Sequence, residues 1–283
     1  MRTPALKNPC WTAAGWAVVA VAALAAPAAA TAGLPMSAAD LAAPAAPVAT
    51  RIISFVDGVG PIVDGPGKPG DEGQSGGGDL SATAARRQCT DGAYSRTGWR
   101  VSGTLKWYYN GAGAPSSVSR TAAKTTSTAV SRLVKGYNDC GLKRSFKVGQ
   151  KYAGTSRRAP AVTATSCGKQ DGYSVVGWKK LPSSVLAVTC AWSTAGDHRV
   201  VSTDIAINTR YKWFTTKPGR CSNTFDLESV LSHEWGHAFG LGHVSLSSHG
   251  TQTMATAVGA CTTAKRTLGL GDYRGMQRIY GLR

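Results

Sequence analysis

The sequence has few acidic residues. Its 283 residues include 15 Asp and Glu against 32 Lys and Arg, for a formal net charge of +17. Only nine of the acids lie in residues 88–283, so the sequence gives no support for a calcium (Ca²⁺) site, which needs several oxygen ligands. The positive charge favours anionic partners. Because no basic-aromatic recognition motif occurs, we expect no specific nucleic-acid binding.

The sequence also lacks any C-x-x-C pair, which argues against a zinc site made of thiolates. Cys10 lies near the N-terminus, and six further cysteines follow it: Cys89, Cys140, Cys167, Cys190, Cys221 and Cys261. An even number fits three disulfides in an oxidising compartment. Six cysteines allow 15 pairings, so spacing alone leaves the connectivity open.

Only one long apolar run is present. Residues 11–30 carry no charge, follow Arg2 and Lys7, and end in small residues that fit an A-x-A cleavage site. This pattern predicts a signal peptide over residues 1–32. A retained membrane anchor is the alternative, although the run is near the short end for crossing a bilayer. We therefore expect a secreted, extracellular monomer that has no membrane contact once the signal is removed.

Two regions follow the predicted signal. Residues 33–88 are rich in Ala, Pro and Gly, with one apolar island at residues 51–56. This composition predicts a mostly disordered pro-segment or linker, because little apolar surface is available to offset the entropy of ordering it. Residues 89–283 are long enough for one domain with a hydrophobic core.

Residue patterns in that domain predict both strands and helices. Strands are predicted at residues 99–109, 185–192 and 200–208, with weaker candidates near Val162 and Val175. A long helix is predicted over residues 118–137, a second from Thr224 or Asp226 toward Gly240, and a short C-terminal helix over residues 271–280. The expected fold class is α+β, with a mixed twisted sheet.

Residues 233–243 contain three of the five histidines in the chain. His233 and His237 are four residues apart, so on a helix both imidazoles can reach one metal ion. Gly240 allows the chain to leave the helix, which lets His243 return to the same ion. Three ligands leave the fourth position open, as in a catalytic zinc site.

The third ligand follows largely by exclusion. No Glu occurs after Glu234, and Asp272 is the only acid downstream. His243 is therefore the expected ligand, and His249 is the only other histidine that follows the helix. Glu234 falls near the apolar stripe of the helix, where a carboxylate needs a partner. A water molecule bound to the zinc would be such a partner. We therefore expect Glu234 to be the general base that accepts a proton from this water.

The stretch from His233 to His243 resembles the extended zinc signature of the metzincins, and within them the matrixin branch in its secreted bacterial form. Met254 matches the methionine turn that metzincins place beneath the metal, and residues 268–281 are similar to the closing helix of matrixins. The resemblance implies a metzincin-like fold and a zinc metalloendopeptidase. Such an enzyme hydrolyses internal bonds of a protein or peptide substrate with zinc-activated water.

Some residues depart from the matrixin pattern. Residues 185–192 resemble the edge strand along which matrixins bind substrate, and residues 204–208 resemble the next strand. That second strand carries a histidine for a structural zinc in matrixins, but Ala206 and Ile207 stand here, so we expect one Zn²⁺. The predicted pro-segment has no cysteine to place on the metal. Cys89 is the nearest candidate, but the even number of cysteines favours its use in a disulfide.

Several predictions remain open to test. Cys221 precedes the metal-binding helix and Cys261 follows the methionine turn, so we expect them to pair and brace the site. His198 is expected in a hairpin loop, and His249 at the mouth of the substrate pocket. Two rival functions are a zinc amidase acting on a cell-wall substrate and a binding module without hydrolytic activity.

Overall fold

The structure is a computed structural model that describes residues 49–59, 87–164 and 166–283. The predicted signal peptide, residues 1–32, lies outside these residues. The longer helices are α1 (Ala122–Lys135), α2 (Leu227–Ala238) and α4 (Leu270–Tyr280), and α3 (Leu246–His249) is a single turn. Residues 87–90 add one helical turn. Among the described residues no helix is long and apolar enough to cross a membrane.

Thirteen strands are assigned within the described residues. They are β1 (Ala49–Val59), β2 (Ser95–Arg96), β3 (Thr104–Asn110), β4 (Gly149–Thr155), β5 (Val162–Thr163), β6 (Ser166–Cys167), β7 (Val175–Lys179), β8 (Val185–Thr194), β9 (Val200–Asn208), β10 (Lys212–Phe214), β11 (Thr224–Asp226), β12 (Leu241–Gly242) and β13 (Ala257–Val258).

Seven of these strands form the main sheet, in the order β13-β1-β8-β9-β7-β3-β4. Strand β8 is antiparallel to both β1 and β9. The remaining pairs from β9 through β7 and β3 to β4 are parallel. Strand β1 also pairs in parallel with β13. The sheet is therefore mixed, and with the packed helices it confirms the α+β, metzincin-like fold class.

Helices α1 and α2 pack on one face of the sheet. Ala129, Val130 and Leu133 of α1 are buried in the main core, and their spacing of three and four residues places them on one helix face. Trp235 of α2 meets Trp107 of β3 edge-on, with ring centroids 5.4 Å apart. This packing joins the helix that carries the histidines to the centre of the sheet.

The predicted elements agree with the structure to different extents. The strand predicted over residues 200–208 is β9, and the one predicted over 185–192 is β8, which extends to Thr194. The first predicted strand starts too early: residues 99–103 lie before β3, which begins at Thr104. The helix predicted over 118–137 is shorter at both ends in the structure. The C-terminal helix prediction is confirmed by α4.

Three disulfides link the described cysteines. They are Cys89–Cys140, Cys167–Cys190 and Cys221–Cys261. The predicted count of three and the predicted Cys221–Cys261 pair are both confirmed. Cys89 is held in a disulfide with Cys140, so this residue is not a free thiol that could reach the metal.

Strand β1 lies in the segment that composition predicted to be mostly disordered. It contains the apolar island at residues 51–56, whose run of Ile, Phe and Val suits a strand. Residues 33–48 and 60–86 of that segment lie outside the described residues. The pairing of β1 with β8 was not expected from the sequence.

Candidate metal centre

The helix α2 begins with a side-chain cap. Asp226 has extended backbone angles, and its carboxylate accepts a hydrogen bond from the Ser229 N–H at 3.0 Å. Arg266 donates to both oxygens of that carboxylate, at 2.7 and 2.8 Å. All twelve residues of the helix are buried. The cap and the paired arginine together fix where this buried helix starts.

Three imidazoles converge beside α2. The Nε2 atom of His237 lies 3.0 Å from that of His233 and 3.0 Å from that of His243. The remaining pair, His233 and His243, has its Nε2 atoms 3.2 Å apart. Nitrogens that each lie about 2.0–2.1 Å from one tetrahedral zinc stand roughly 3.3 Å apart, so the spacing suits a shared ion.

Backbone carbonyls orient two of these rings. His233 Nδ1 lies 2.6 Å from the Thr253 carbonyl oxygen, and His237 Nδ1 lies 2.9 Å from that of Leu241. A carbonyl oxygen only accepts hydrogen bonds, so in the neutral ring Nδ1 carries the proton and Nε2 carries the lone pair. Two lone pairs thus face one point that His243 also reaches. This donor set fits a zinc ion, and the three histidines are a group that could hold one.

The turn after α2 brings His243 back to the group. Gly240 has φ of +95°, and a Cβ there would lie 2.4 Å from the Trp99 carbonyl oxygen. The Trp99 indole N–H donates to the His237 carbonyl oxygen at 3.0 Å. A larger residue at position 240 would meet both backbone strain and a steric clash. Gly240 therefore allows the reversal that places His243 opposite His233.

Met254 packs directly under the helix. Its Sδ would lie 2.2 Å from a Cβ added at Gly236, which directly precedes His237 in sequence. Met254 is 1% exposed. The sulfur can approach the helix backbone this closely only because position 236 has no side chain.

Asp272 of α4 holds the methionine turn from the other side. Its carboxylate accepts from the N–H groups of Thr253 at 2.7 Å, Met254 at 3.2 Å and Gly269 at 2.9 Å. Burial raises its pKa, and these hydrogen bonds act in the opposite direction. The only acid downstream of Glu234 is therefore a support for the turn, and it lies outside the histidine group.

Glu234 is fully buried between α2 and the sheet. The Thr189 hydroxyl, on β8, donates to its carboxylate. Thr189 was not predicted from the sequence, because it lies 45 residues before Glu234 and no motif links the two positions. The contact between Thr189 and Glu234 follows from the packing of α2 on β8.

The two other histidines lie outside the group. His198 is in the hairpin between β8 and β9, with φ of +52°, as expected for a loop residue. His249 lies at the end of α3, where its Nδ1 is 2.9 Å from the Asp91 carboxylate. Neither belongs to the group of side chains that could hold a metal ion among the described residues.

Comparison with known families adds a second line of support. Residues 175–281 match the family model of the matrixins, Peptidase_M10. The match covers a little over a third of the chain, from β7 to the end of α4. It includes the helix, all three histidines and the methionine turn. No curated protein matches the chain closely enough to count as a relative.

The matrixin match indicates a family and a general class of substrate. It supports a matrixin or metzincin family, whose members are zinc-dependent metallopeptidases. A peptidase family also implies protein or peptide substrates. The resemblance to metzincins expected from residues 233–243 is thus supported over a longer stretch of the sequence.

Proposed function

We propose that the chain is a secreted zinc metalloendopeptidase that hydrolyses internal peptide bonds. The observation that carries the proposal is the convergence of three Nε2 atoms within 3.2 Å of one another, beside a buried glutamate on the same helix. The matrixin match spans this arrangement. His233, His237 and His243 would hold one Zn²⁺.

When bound, zinc would act as a Lewis acid toward the peptide carbonyl and increase the acidity of a water molecule. Glu234 provides the base: its carboxylate takes the proton of the attacking water and later delivers it to the leaving amine nitrogen. Thr189 fixes one carboxylate oxygen through its hydroxyl group. The second oxygen is the one we assign to proton transfer.

Export fits the disulfides. Three cystines among the described residues are typical of proteins that fold in an oxidising compartment. The predicted signal over residues 1–32 would direct the chain there. N-terminal sequencing of the protein recovered from culture medium tests both the export and the cleavage site.

The deciding experiment uses the purified chain loaded with zinc. We expect cleavage of casein and of an internally quenched peptide, loss of both activities with a strong chelator, and recovery on adding zinc. Mass spectrometry of the products should show cuts inside the chains. Full zinc binding without cleavage of any protein or peptide, under conditions where the chain is folded, would show that the proposed activity is wrong.

A further inference from the structure

Three arginines line a small cavity in the described part of the chain. The cavity has a volume of about 250 Å³, and Arg96, Arg100 and Arg278 contribute to its wall. All three are exposed. Among the residues that the structure describes, none of their guanidinium groups forms a salt bridge or donates a hydrogen bond. Three like charges around one cavity repel one another, and a bound anion would offset this repulsion.

One acid, Asp197, also lines the cavity, but it has other partners. Arg199 forms a salt bridge with the Asp197 carboxylate, and the Thr194 hydroxyl donates to it. The hydrogen bond from Thr194 and the positive charge of Arg199 lower the pKa of Asp197. Asp197 is therefore ionised at neutral pH, with its charge balanced by Arg199. The three arginines of the wall are left without a counter-charge among the described residues.

The size and lining of the cavity suit a small oxyanion. Pockets for drug-sized ligands begin at about 300 Å³, so this cavity suits a single chemical group. Trp99 also lines it, but this residue is 3% exposed and offers no open ring face on which a base could stack. Guanidinium groups bind oxyanions through paired N–H donors. A carboxylate has two oxygens, whereas sulfate and phosphate have more oxygens to share among three arginines.

The wall of the cavity is in direct contact with the candidate metal centre. Arg96 of β2 is opposite Leu241 of β12, and the Leu241 carbonyl oxygen lies 2.9 Å from His237 Nδ1. The Trp99 indole N–H donates to the His237 carbonyl oxygen at 3.0 Å. An anion held between Arg96 and Arg278 would join β2 to α4. It would thereby restrain the segment that holds His237 in place.

We propose that this cavity is a binding site for a sulfate or phosphate group, and that a bound anion stabilises the segment from His237 to His243. The group could be a free inorganic ion or an ester on a sugar, because both present the same oxygens. An anion that favours the ligand geometry of this segment strengthens zinc binding, and zinc strengthens anion binding by the same factor. Only this link to zinc rests on the proposed function. The anion site does not.

The test compares the full-length parent with variants of the cavity. The triple variant Arg96→Gln/Arg100→Gln/Arg278→Gln removes the three charges and keeps the backbone. The single variant Arg278→Gln changes only the residue on α4. Because all three side chains are exposed, both variants should melt close to the parent, and calorimetric melting checks that they are folded.

The matched control removes three charges elsewhere. The variant Arg120→Gln/Arg157→Gln/Arg220→Gln changes exposed arginines that do not line the cavity. Its net charge equals that of the triple cavity variant. It therefore separates a site from general attraction of anions to a chain with a net charge of +17.

Anion binding is measured by titration calorimetry on the metal-free chains at constant ionic strength. Sodium sulfate and glucose 6-sulfate are the two probes. We expect the parent to bind one sulfate per chain. Affinity should fall at least tenfold in the triple cavity variant and at least threefold in Arg278→Gln, and it should stay within twofold in the charge-matched control. The probe with the higher affinity identifies the source, a free ion or a sulfated sugar.

The link to the metal centre is measured by amide hydrogen exchange of the metal-free chain. Sulfate should slow exchange of residues 95–100 and 237–243 at least threefold in the parent but not in the triple cavity variant. Residues 149–155, in β4, should be unchanged. In the zinc-loaded parent, sulfate should also slow extraction of zinc by a chromogenic chelator.

Each part of the proposal can fail separately. If the triple cavity variant binds sulfate as tightly as the parent, or if both triple variants lose the same affinity, the cavity is not the site and the proposal is wrong. If sulfate binds there but leaves exchange of residues 237–243 unchanged, the stabilising role is wrong and the anion site stands. Loss of the proposed peptidase function would leave the calorimetric result intact, since that experiment needs neither zinc nor cleavage.

Discussion

Two buried carboxylates near the candidate metal centre, Asp272 and Glu234, have different hydrogen-bond partners and therefore suit different roles. Asp272 accepts three backbone N–H bonds and ties α4 to the methionine turn. Glu234 has a hydroxyl donor, Thr189, on the neighbouring strand, and lies next to His233 in sequence. A buried carboxylate is costly unless such partners compensate for lost hydration. The first arrangement suits a support, and the second suits a base.

The role of Glu234 can be separated from that of a ligand by Glu234→Gln. We expect the variant to keep near-stoichiometric zinc and a melting temperature close to the parent's, while turnover falls by about 100-fold or more. His237→Ala should instead lose zinc and activity together, because it removes one of the three converging nitrogens. Zinc is measured by metal analysis and turnover with a quenched peptide.

Ser232→Ala is the control for the Glu234 experiment. Ser232 is buried on the same helix, and its hydroxyl has no hydrogen-bond partner among the described residues. The substitution should leave zinc content and turnover unchanged. If Glu234→Gln lost zinc in step with activity, Glu234 would be a ligand and the three-histidine assignment would be wrong.

Thr189 is expected to position Glu234 without contacting substrate. Thr189→Val keeps the shape of the side chain but removes the hydroxyl donor. We expect kcat to fall by about tenfold, equivalent to ~1.4 kcal/mol, with KM nearly constant and zinc retained. Thr203→Val is the matched control, since its hydroxyl donates to the Cys190 carbonyl at 2.9 Å. Equal kcat losses in both variants would indicate general destabilisation of the sheet.

The three histidines could be predicted from the sequence because they lie close together in it. His233 and His237 lie one helical turn apart and His243 follows six residues later, so the pattern is contained in eleven residues. Thr189 and the three donors to Asp272 could not be predicted in the same way. Their contacts depend on how β8, α2 and α4 pack, which no short pattern encodes.

At the scale of elements, α2 packs against the methionine turn where Met254 lies next to Gly236. Gly236→Ala should raise intrinsic helix propensity by about 1 kcal/mol. The added Cβ would lie 2.2 Å from Met254 Sδ, however, so we expect a lower melting temperature and weaker zinc retention. Adding Met254→Ala to Gly236→Ala should restore part of both, because it vacates the space that the Cβ needs.

Gly196→Ala provides the control for the Gly236 experiment. Gly196 is an exposed residue in the β8–β9 hairpin, and a Cβ there meets nothing within 4 Å. Its substitution should leave melting and zinc retention close to the parent's. If Gly236→Ala behaved in the same way, the close packing of Met254 under the helix would not be needed to hold the site.

The elements that sequence predicted best are those with strong residue patterns. Strand β9 and helix α2 combine apolar residues with clear ends, such as the Asp226 cap. Strand β4 was missed because its sequence, Gly149–Thr155, has no regular alternation and no buried residue. It lies at the edge of the sheet, where little apolar surface is required. Its place there depends on pairing with β3 rather than on its own composition.

At the scale of the whole molecule, the even cysteine count predicted three disulfides but could not give their pairing. Cys221–Cys261 followed from the position of the two residues on either side of the expected site. Cys89–Cys140 and Cys167–Cys190 depend on how distant segments pack. The position of β1 is a similar case: its apolar residues indicate a strand, but its partner strands come from the folded sheet.

The last prediction concerns metal and stability together. Among the described residues, the three histidines are the only group of this kind that could hold a metal, and we expect one zinc per chain. Zinc that binds the folded chain through the three histidines would add its binding free energy to the free energy of unfolding. Removing zinc should therefore lower the stability of the whole domain. At a free zinc concentration about 1,000 times the dissociation constant, zinc binding adds about 4 kcal/mol to the free energy of unfolding. That corresponds to a fall in melting temperature of roughly 10 °C.

The measurement is differential scanning calorimetry of the zinc-loaded and the chelated chain, together with metal analysis. Adding zinc back should restore the higher melting temperature with one equivalent, and His243→Ala should abolish the shift. His249→Ala is the control, because His249 pairs with Asp91 outside the group. Two tightly held zinc ions per chain would contradict the prediction. So would a shift that His243→Ala leaves intact, since the stabilising ion would then be bound elsewhere.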